Sequence, residues 1–201
     1  MNRQVLVIHG GDTFRSTEAF LEDLREKELD FETLRAPSND WKRNLADDLG
    51  EAFEVLRPRM PNGADARYAA WKIWFEKIFP HLDESVILVG HSLGAAFLIK
   101  YLSENTLSRP VRATFLVGAP YDEGKDARHS TEFNPPDELS GLVAQGGAVT
   151  LYHSTDDPIV PFADFEAYRA KLPSARFVSF TDRLHFFDEH FPELVEDIKN
   201  A

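Results

Sequence analysis

The chain contains no cysteine. That absence excludes disulfides, thiolate metal sites, iron–sulfur ligation and cysteine nucleophiles together. Basic residues are scarce as well: Lys and Arg number 22 against 34 Asp and Glu, a net charge of −12. So acidic a protein repels phosphate backbones, and no local basic patch is evident along the sequence, so nucleic acid is not an expected partner. Long apolar runs are missing too. Met1–Gln4 leads into only Val5–Ile8 before His9-Gly10-Gly11, with neither the apolar core nor the cleavage site of a signal peptide. Nothing approaches the ~20 residues of a membrane span. The expectation is a soluble, cytoplasmic protein with no membrane partner. Gly-x-Gly-x-x-Gly and Gly-Lys-Ser/Thr are both lacking after the first apolar run, which argues against a dinucleotide or phosphate-loop protein.

What is present suits one folded domain spanning residues 1–201, with 43% hydrophobic and 12% aromatic residues. Short apolar runs alternate with amphipathic stretches. The runs Val5–Ile8, Phe53–Leu56, Val86–Val89, Val111–Val117, Val149–His153 and Phe177–Phe180 read as strands. Helices are expected over Ser16–Glu28 (Ser16 as N-cap), Asp40–Leu49, Ala64–Phe79, Leu93–Glu104, Asp137–Gln145, Phe162–Leu172 and Phe191–Lys199. On the Ala64–Phe79 helix, Trp71 and Trp74 are both expected in the core. Residues 118–136 read as a long loop, mobile or facing substrate. Strand–helix alternation of this kind predicts a mainly parallel α/β sheet covered on both faces.

One motif carries chemistry. Val86-Ile87-Leu88-Val89-Gly90-His91-Ser92-Leu93-Gly94 places Gly-x-Ser-x-Gly between a strand and a helix. A nucleophilic serine needs that context: a sharp turn lifts its hydroxyl above the sheet, and small neighbours let strand and helix close around it. The bland alternative for Ser92 is a helix-capping serine. A serine hydroxyl is inert without a base, and the base needs an orienting carboxylate. Asp156 and Asp157 follow one strand; His185 follows the last. Both positions lie where open α/β sheets bind ligands, at the carboxyl ends of strands.

With His9-Gly10-Gly11, Gly90-His91-Ser92-Leu93-Gly94, Ser154-Thr155-Asp156-Asp157-Pro158, Val160-Pro161 and His185-Phe186 in hand, the chain resembles the α/β-hydrolase superfamily. It is most similar to the small, lidless branch of retinoblastoma-binding-protein type serine hydrolases. The resemblance implies a three-layer fold, strand order 2-1-3-4-5-6 and no large cap. It also implies a Ser92–His185–Asp157 triad, since a Gly-x-x-Asp-x-x-Val-Pro pattern laid on this chain selects Asp157, with Ser154 in place of the glycine. Asp156 is then a structural neighbour. Leu184 stands where the family usually has glycine. The oxyanion hole would use the N–H of Leu93 and that of Gly11, with Asp12 as second choice for the latter.

Phe14, Met60, Tyr121, Phe162 and Phe186 are candidates for a substrate pocket, each with core or rim packing as the alternative. Asp122 reads as a loop acid, His153 as a hydrogen-bonded strand-end residue, His91 as a residue shaping the pocket, and Asp188 and His190 as helix caps. His9 and Asp12 lack a third ligand for a metal. No metal or organic cofactor is expected. The partner expected is a small acyl substrate: an ester, thioester or short amide. The rival reading is a catalytically silent binding or scaffold protein that kept the fold.

Overall fold

The structure, a computed structural model, describes residues 2–29, 31, 35, 40–122 and 128–201. Six strands form one sheet: β1 (Arg3–Ile8), β2 (Phe53–Leu56), β3 (Val86–His91), β4 (Val111–Val117), β5 (Ala148–Ser154) and β6 (Arg176–Phe180). Their order is β2-β1-β3-β4-β5-β6 and every pairing is parallel. The central strands are apolar throughout because both of their faces are covered. Leu6, Ile8, Leu88, Leu116 and Leu151 point to one layer, and Val5, Val7, Ile87, Val89, Phe115 and Val117 to the other.

The helices fill those layers. α1 (Thr17–Glu26) follows β1, and the Ser16 hydroxyl accepts the Ala19 N–H as N-cap. α2 (Trp41–Leu49) and α7 (Pro192–Asn200) cover one face through Trp41, Leu45, Leu194 and Ile198. α3 (Tyr68–Ile78), α4 (Leu93–Glu104), α5 (Ser140–Gln145) and α6 (Phe162–Lys171) cover the other. None of these helices is long and apolar enough to cross a membrane.

Several boundaries differ from the expectation. α3 starts at Tyr68, not Ala64, because Asp65, Ala66 and Arg67 tie the loops together: Thr13 Oγ1 donates to the Ala66 carbonyl, and Arg67 donates to the Phe14 carbonyl. α5 begins only at Ser140. α1 buries no side chain fully, and Leu21 and Leu24 are exposed.

Trp74 corrects the core assignment. Trp71 and Phe75 are fully buried, whereas Trp74 is 42% exposed. The buried stripe of α3 is narrow, and Trp74 lies at its edge. Trp71 packs edge-on against Phe97 and Phe133 and donates its indole N–H to the Pro61 carbonyl. Trp71→Ala is therefore expected to cost about 3–5 kcal/mol of stability, the loss typical of a buried tryptophan. Trp74→Ala is expected to cost under ~1 kcal/mol. Urea denaturation of the two variants checks this, and equal losses would contradict the narrow stripe.

Candidate active site

β3 passes into α4 through Ser92, whose backbone stands at φ 55°, ψ −125°. Such a conformation costs a non-glycine residue about 1–3 kcal/mol, and it persists because its surroundings hold it. The Ser92 N–H donates to the Val117 carbonyl at 2.8 Å, and the Ser92 carbonyl accepts from Ala95 and Ala96. The two flanking glycines are required sterically. A Cβ on Gly90 would stand 2.6 Å from the Ala95 Cα, and one on Gly94 would stand 2.3 Å from the Ile8 carbonyl oxygen. The Ser92 hydroxyl makes no helix-capping hydrogen bond. The capping role, the bland alternative for this serine, is therefore not the one it has here.

The two aspartates after β5 have separate tasks. The Asp157 side chain is fully buried, and its Oδ1 accepts the N–H groups of Ile159 at 2.8 Å and Val160 at 2.9 Å. That anchoring aims Oδ2 at His185 Nδ1, 2.7 Å away. Burial pushes the Asp157 carboxyl up, but the His185 hydrogen bond and the two backbone donors outweigh it and hold the group below its ordinary value. Asp156 does not touch the imidazole. Its Oδ1 accepts the Leu184 N–H at 3.0 Å and the Ser154 hydroxyl, and Ser154 Oγ in turn accepts the Arg183 N–H at 3.1 Å. Ser154 and Asp156 thus hold the loop that carries His185. Within that loop Leu184 stands at φ 47°, in the left-handed region that favours glycine.

His185 lies on the Ser92 side of the sheet edge. Its carbonyl bonds the Nε2 of His91, the residue before Ser92, at 3.0 Å. Gly118, next to the Val117 that holds the Ser92 N–H, faces its ring; a Cβ there would come within 3.1 Å of His185 Cε1. Gly118 has φ 57°. Neither the Ser154–Asp156 brace nor Gly118 was singled out from sequence. Ser154 in place of a glycine and the Gly118-Ala119-Pro120 strand ending were the available signals.

The neighbouring histidines are kept neutral or fixed. Burial, reinforced by Lys42 and by His185, pushes the His91 imidazole well below its ordinary value. Burial also lowers His153, which is nearly inaccessible and bonds the Val160 carbonyl through Nε2 at 3.0 Å. His9 accepts the Met60 N–H at Nε2 (2.9 Å), so its proton sits on Nδ1 and is donated to the Gly10 carbonyl at 2.5 Å. The Asp12 N–H is engaged by the Gly63 carbonyl at 2.9 Å. Asp188 and His190 do not cap α7, which has Phe191 at that position: Asp188 pairs with Arg183, and His190 with Asp48.

A cleft of about 280 Å³ opens at Ser92. Its walls are Gly11 and Asp12 from the turn after β1, Pro120, Asp122 and His129 from the 118–136 loop, and Ile159, Val160, Pro161 and Asp164. The described part of that loop is tied down by an antiparallel bridge between His129 and Phe14; residues 123–127 of the expected loop lie outside the described residues. None of the five aromatic or apolar candidates lines this cleft. Phe14, Met60 and Phe186 are buried, Phe14 behind His129 and Phe186 among Phe180 and Phe191. Tyr121 and Phe162 are partly buried, packed on Tyr168 and on His153 and Phe165.

Comparison with known proteins bears on the family and the fold. The model of the family described as serine hydrolase matches residues 35–190. Serine hydrolase RBBP9 of Rattus norvegicus is 31% identical over 162 residues, covering 80% of this chain and 83% of that protein. Among solved structures, the ydeN gene product from B. subtilis superposes with a TM-score of 0.73 at 20% identity, covering 99% of this chain and 98% of that one. The esterase domain of a Rhodothermus marinus protein superposes with a TM-score of 0.59 at 16% identity, covering 98% and 82%. At those identities the two structures bear on the fold alone, a small α/β-hydrolase sheet.

Proposed function

The chain belongs to the serine hydrolase family, and from that premise we propose that it splits a small carboxylic ester, thioester or amide through an acyl-serine intermediate. The observation that carries the reading is the buried Asp157–His185 contact of 2.7 Å, set beside a serine on a positive-φ turn whose hydroxyl caps nothing.

In this mechanism Ser92 Oγ attacks the substrate carbonyl carbon while His185 Nε2 takes its proton. Asp157 keeps the other imidazole proton on Nδ1 and stabilises the imidazolium that forms. The carbonyl oxygen becomes an oxyanion held by the N–H groups of Leu93 and Gly11. Leu93 opens α4, so the helix dipole adds positive potential there. Gly11 is favoured over Asp12 because the Asp12 N–H is already donated to Gly63. Collapse of the tetrahedral species breaks the bond to the leaving group, which takes the proton from His185. Water, deprotonated by the same imidazole, then releases the acid and restores Ser92. The cleft of about 280 Å³ is at the small end for an organic ligand, which supports a short acyl group.

Labelling by a fluorophosphonate probe tests the proposal. Wild type is expected to label, and Ser92→Ala and His185→Ala are expected to lose labelling while remaining folded by circular dichroism. A folded wild type that does not label would turn the reading toward the silent binding protein.

A further inference from the structure

The sequence shows no basic patch, yet the fold builds one. Lys42 and Arg43, in the first turn of α2, come together with Arg57 and Arg59, from the segment after β2, around a cleft of about 530 Å³. Among the described residues that line it, the one carboxylate, Asp40, is already engaged: it pairs with Lys42 at 2.9 Å and caps α2 by accepting the Arg43 N–H. Arg57 donates to the Lys42 carbonyl at 2.8 Å, which ties the two segments together. Among the described residues, the guanidinium groups of Arg43 and Arg59 have neither a carboxylate nor a carbonyl partner. Two unpaired arginines turned to one cleft concentrate positive charge there in a chain with 34 acidic residues. Gathering like charges raises their mutual repulsion, and an anion between them relieves it.

We infer that this cleft binds a small anion, a carboxylate or phosphate group, between Arg43 and Arg59. Guanidinium forks match the paired oxygens of both groups. The limited extent of the cleft and the acidic remainder of the protein fit a small anion, not a nucleic-acid strand. The cleft also borders the catalytic turn. His9 lines it and bonds both Met60, next to Arg59, and Gly10, next to Gly11. The segment that ends β1 and turns beyond it therefore contributes to both clefts, His9 to the basic one and Gly11 and Asp12 to the Ser92 cleft. The anion has two sources by this geometry: an acid group carried by the acyl substrate, or a free anion.

Calorimetric titration with inorganic phosphate and with glutarate tests the site. Ser92→Ala is expected to bind as wild type does, so this arm stands whatever the fate of the catalytic reading. Arg43→Gln/Arg59→Gln is expected to weaken binding at least about tenfold, the effect of losing charged hydrogen bonds. Both residues are exposed, so the double variant is expected to fold. Absence of saturable binding by wild type, or equal binding by the double variant, would overturn the inference. A kinetic arm, which rests on the proposed mechanism, compares kcat/KM for mono-p-nitrophenyl glutarate with that for p-nitrophenyl butyrate. A fall in that ratio of about tenfold in the double variant assigns the anion to the substrate. An unchanged ratio, with phosphate binding lost, assigns it to a free anion.

Discussion

Asp157→Asn is expected to lower kcat/KM by about 10⁴-fold with the fold intact, the loss seen when a triad acid is replaced by its amide. The reason lies in the two ends of one carboxylate. Oδ1 accepts two backbone N–H groups, from Ile159 and Val160, so an asparagine must keep its oxygen there. Its amide nitrogen then faces His185 Nδ1, which has to become an acceptor. The imidazole proton moves to Nε2, and the ring can no longer take the proton of Ser92. Asp156→Asn is expected to lose at most about tenfold, because the amide oxygen still accepts the Leu184 N–H. Reversed effects in the two variants would make Asp156 the triad acid.

The same carboxylate gives a pH signature. Its folded value is depressed, so its ionised form adds stability above the ordinary carboxylate range and that contribution is lost as pH falls through the lowered folded value. The stability gap between wild type and Asp157→Asn is therefore expected to shrink below about pH 4, where the unfolded carboxyl takes up its proton. Denaturant titrations between pH 3 and 7 measure it. A gap that does not vary with pH would mean that the Asp157 contacts are no stronger with the ionised group than with the neutral one.

The sheet was legible in the sequence because its central strands are buried on both faces and read as unbroken apolar runs, such as Val86–Val89. The candidate site was legible as positions beyond strand ends: Ser92 follows β3, Asp156 and Asp157 follow β5 and His185 follows β6, and the structure joins Asp157, not Asp156, to His185. Loops carry no such period. Phe14 and Phe186 stand two and one residues from Asp12 and His185, and Met60 sits in the loop whose Gly63 accepts the Asp12 N–H, but nothing in a loop sequence fixes which way a side chain turns, and these three turn into packing. The basic cleft was invisible for another reason. Its two halves, Lys42-Arg43 and Arg57–Arg59, are separated by β2 and meet only after β2 pairs with β1.

Gly94→Ala is expected to cost more than about 4 kcal/mol, a loss confined to substitutions with a specific steric or electrostatic cause. The cause is contact with backbone. The added methyl would stand 2.3 Å from the Ile8 carbonyl oxygen and 2.6 Å from that of His9. Ile8 pairs in register with Gly90 of β3, so β1 cannot withdraw without breaking the sheet at its centre. Nor can the start of α4 withdraw without pulling on the turn at Ser92, whose N–H is held by the Val117 carbonyl. Gly50 supplies the control. It has φ 77° and ψ −177°, a backbone region kept almost wholly to glycine, with nothing within 4 Å of an added Cβ, so Gly50→Ala carries only that backbone penalty, about 1–3 kcal/mol. In a chain of this length each kcal/mol moves the melting point by about 2–4 °C. Gly94→Ala is thus expected to melt at least about 10 °C below wild type or to be recovered unfolded, and Gly50→Ala to melt a few degrees below. A Gly94→Ala protein that melts within a few degrees of wild type would mean that β1 and α4 are not in backbone contact at the elbow. The glycines of the motif would then serve only to give the turn at Ser92 its freedom, and the tight strand–helix closure that holds the strained serine would have to come from elsewhere.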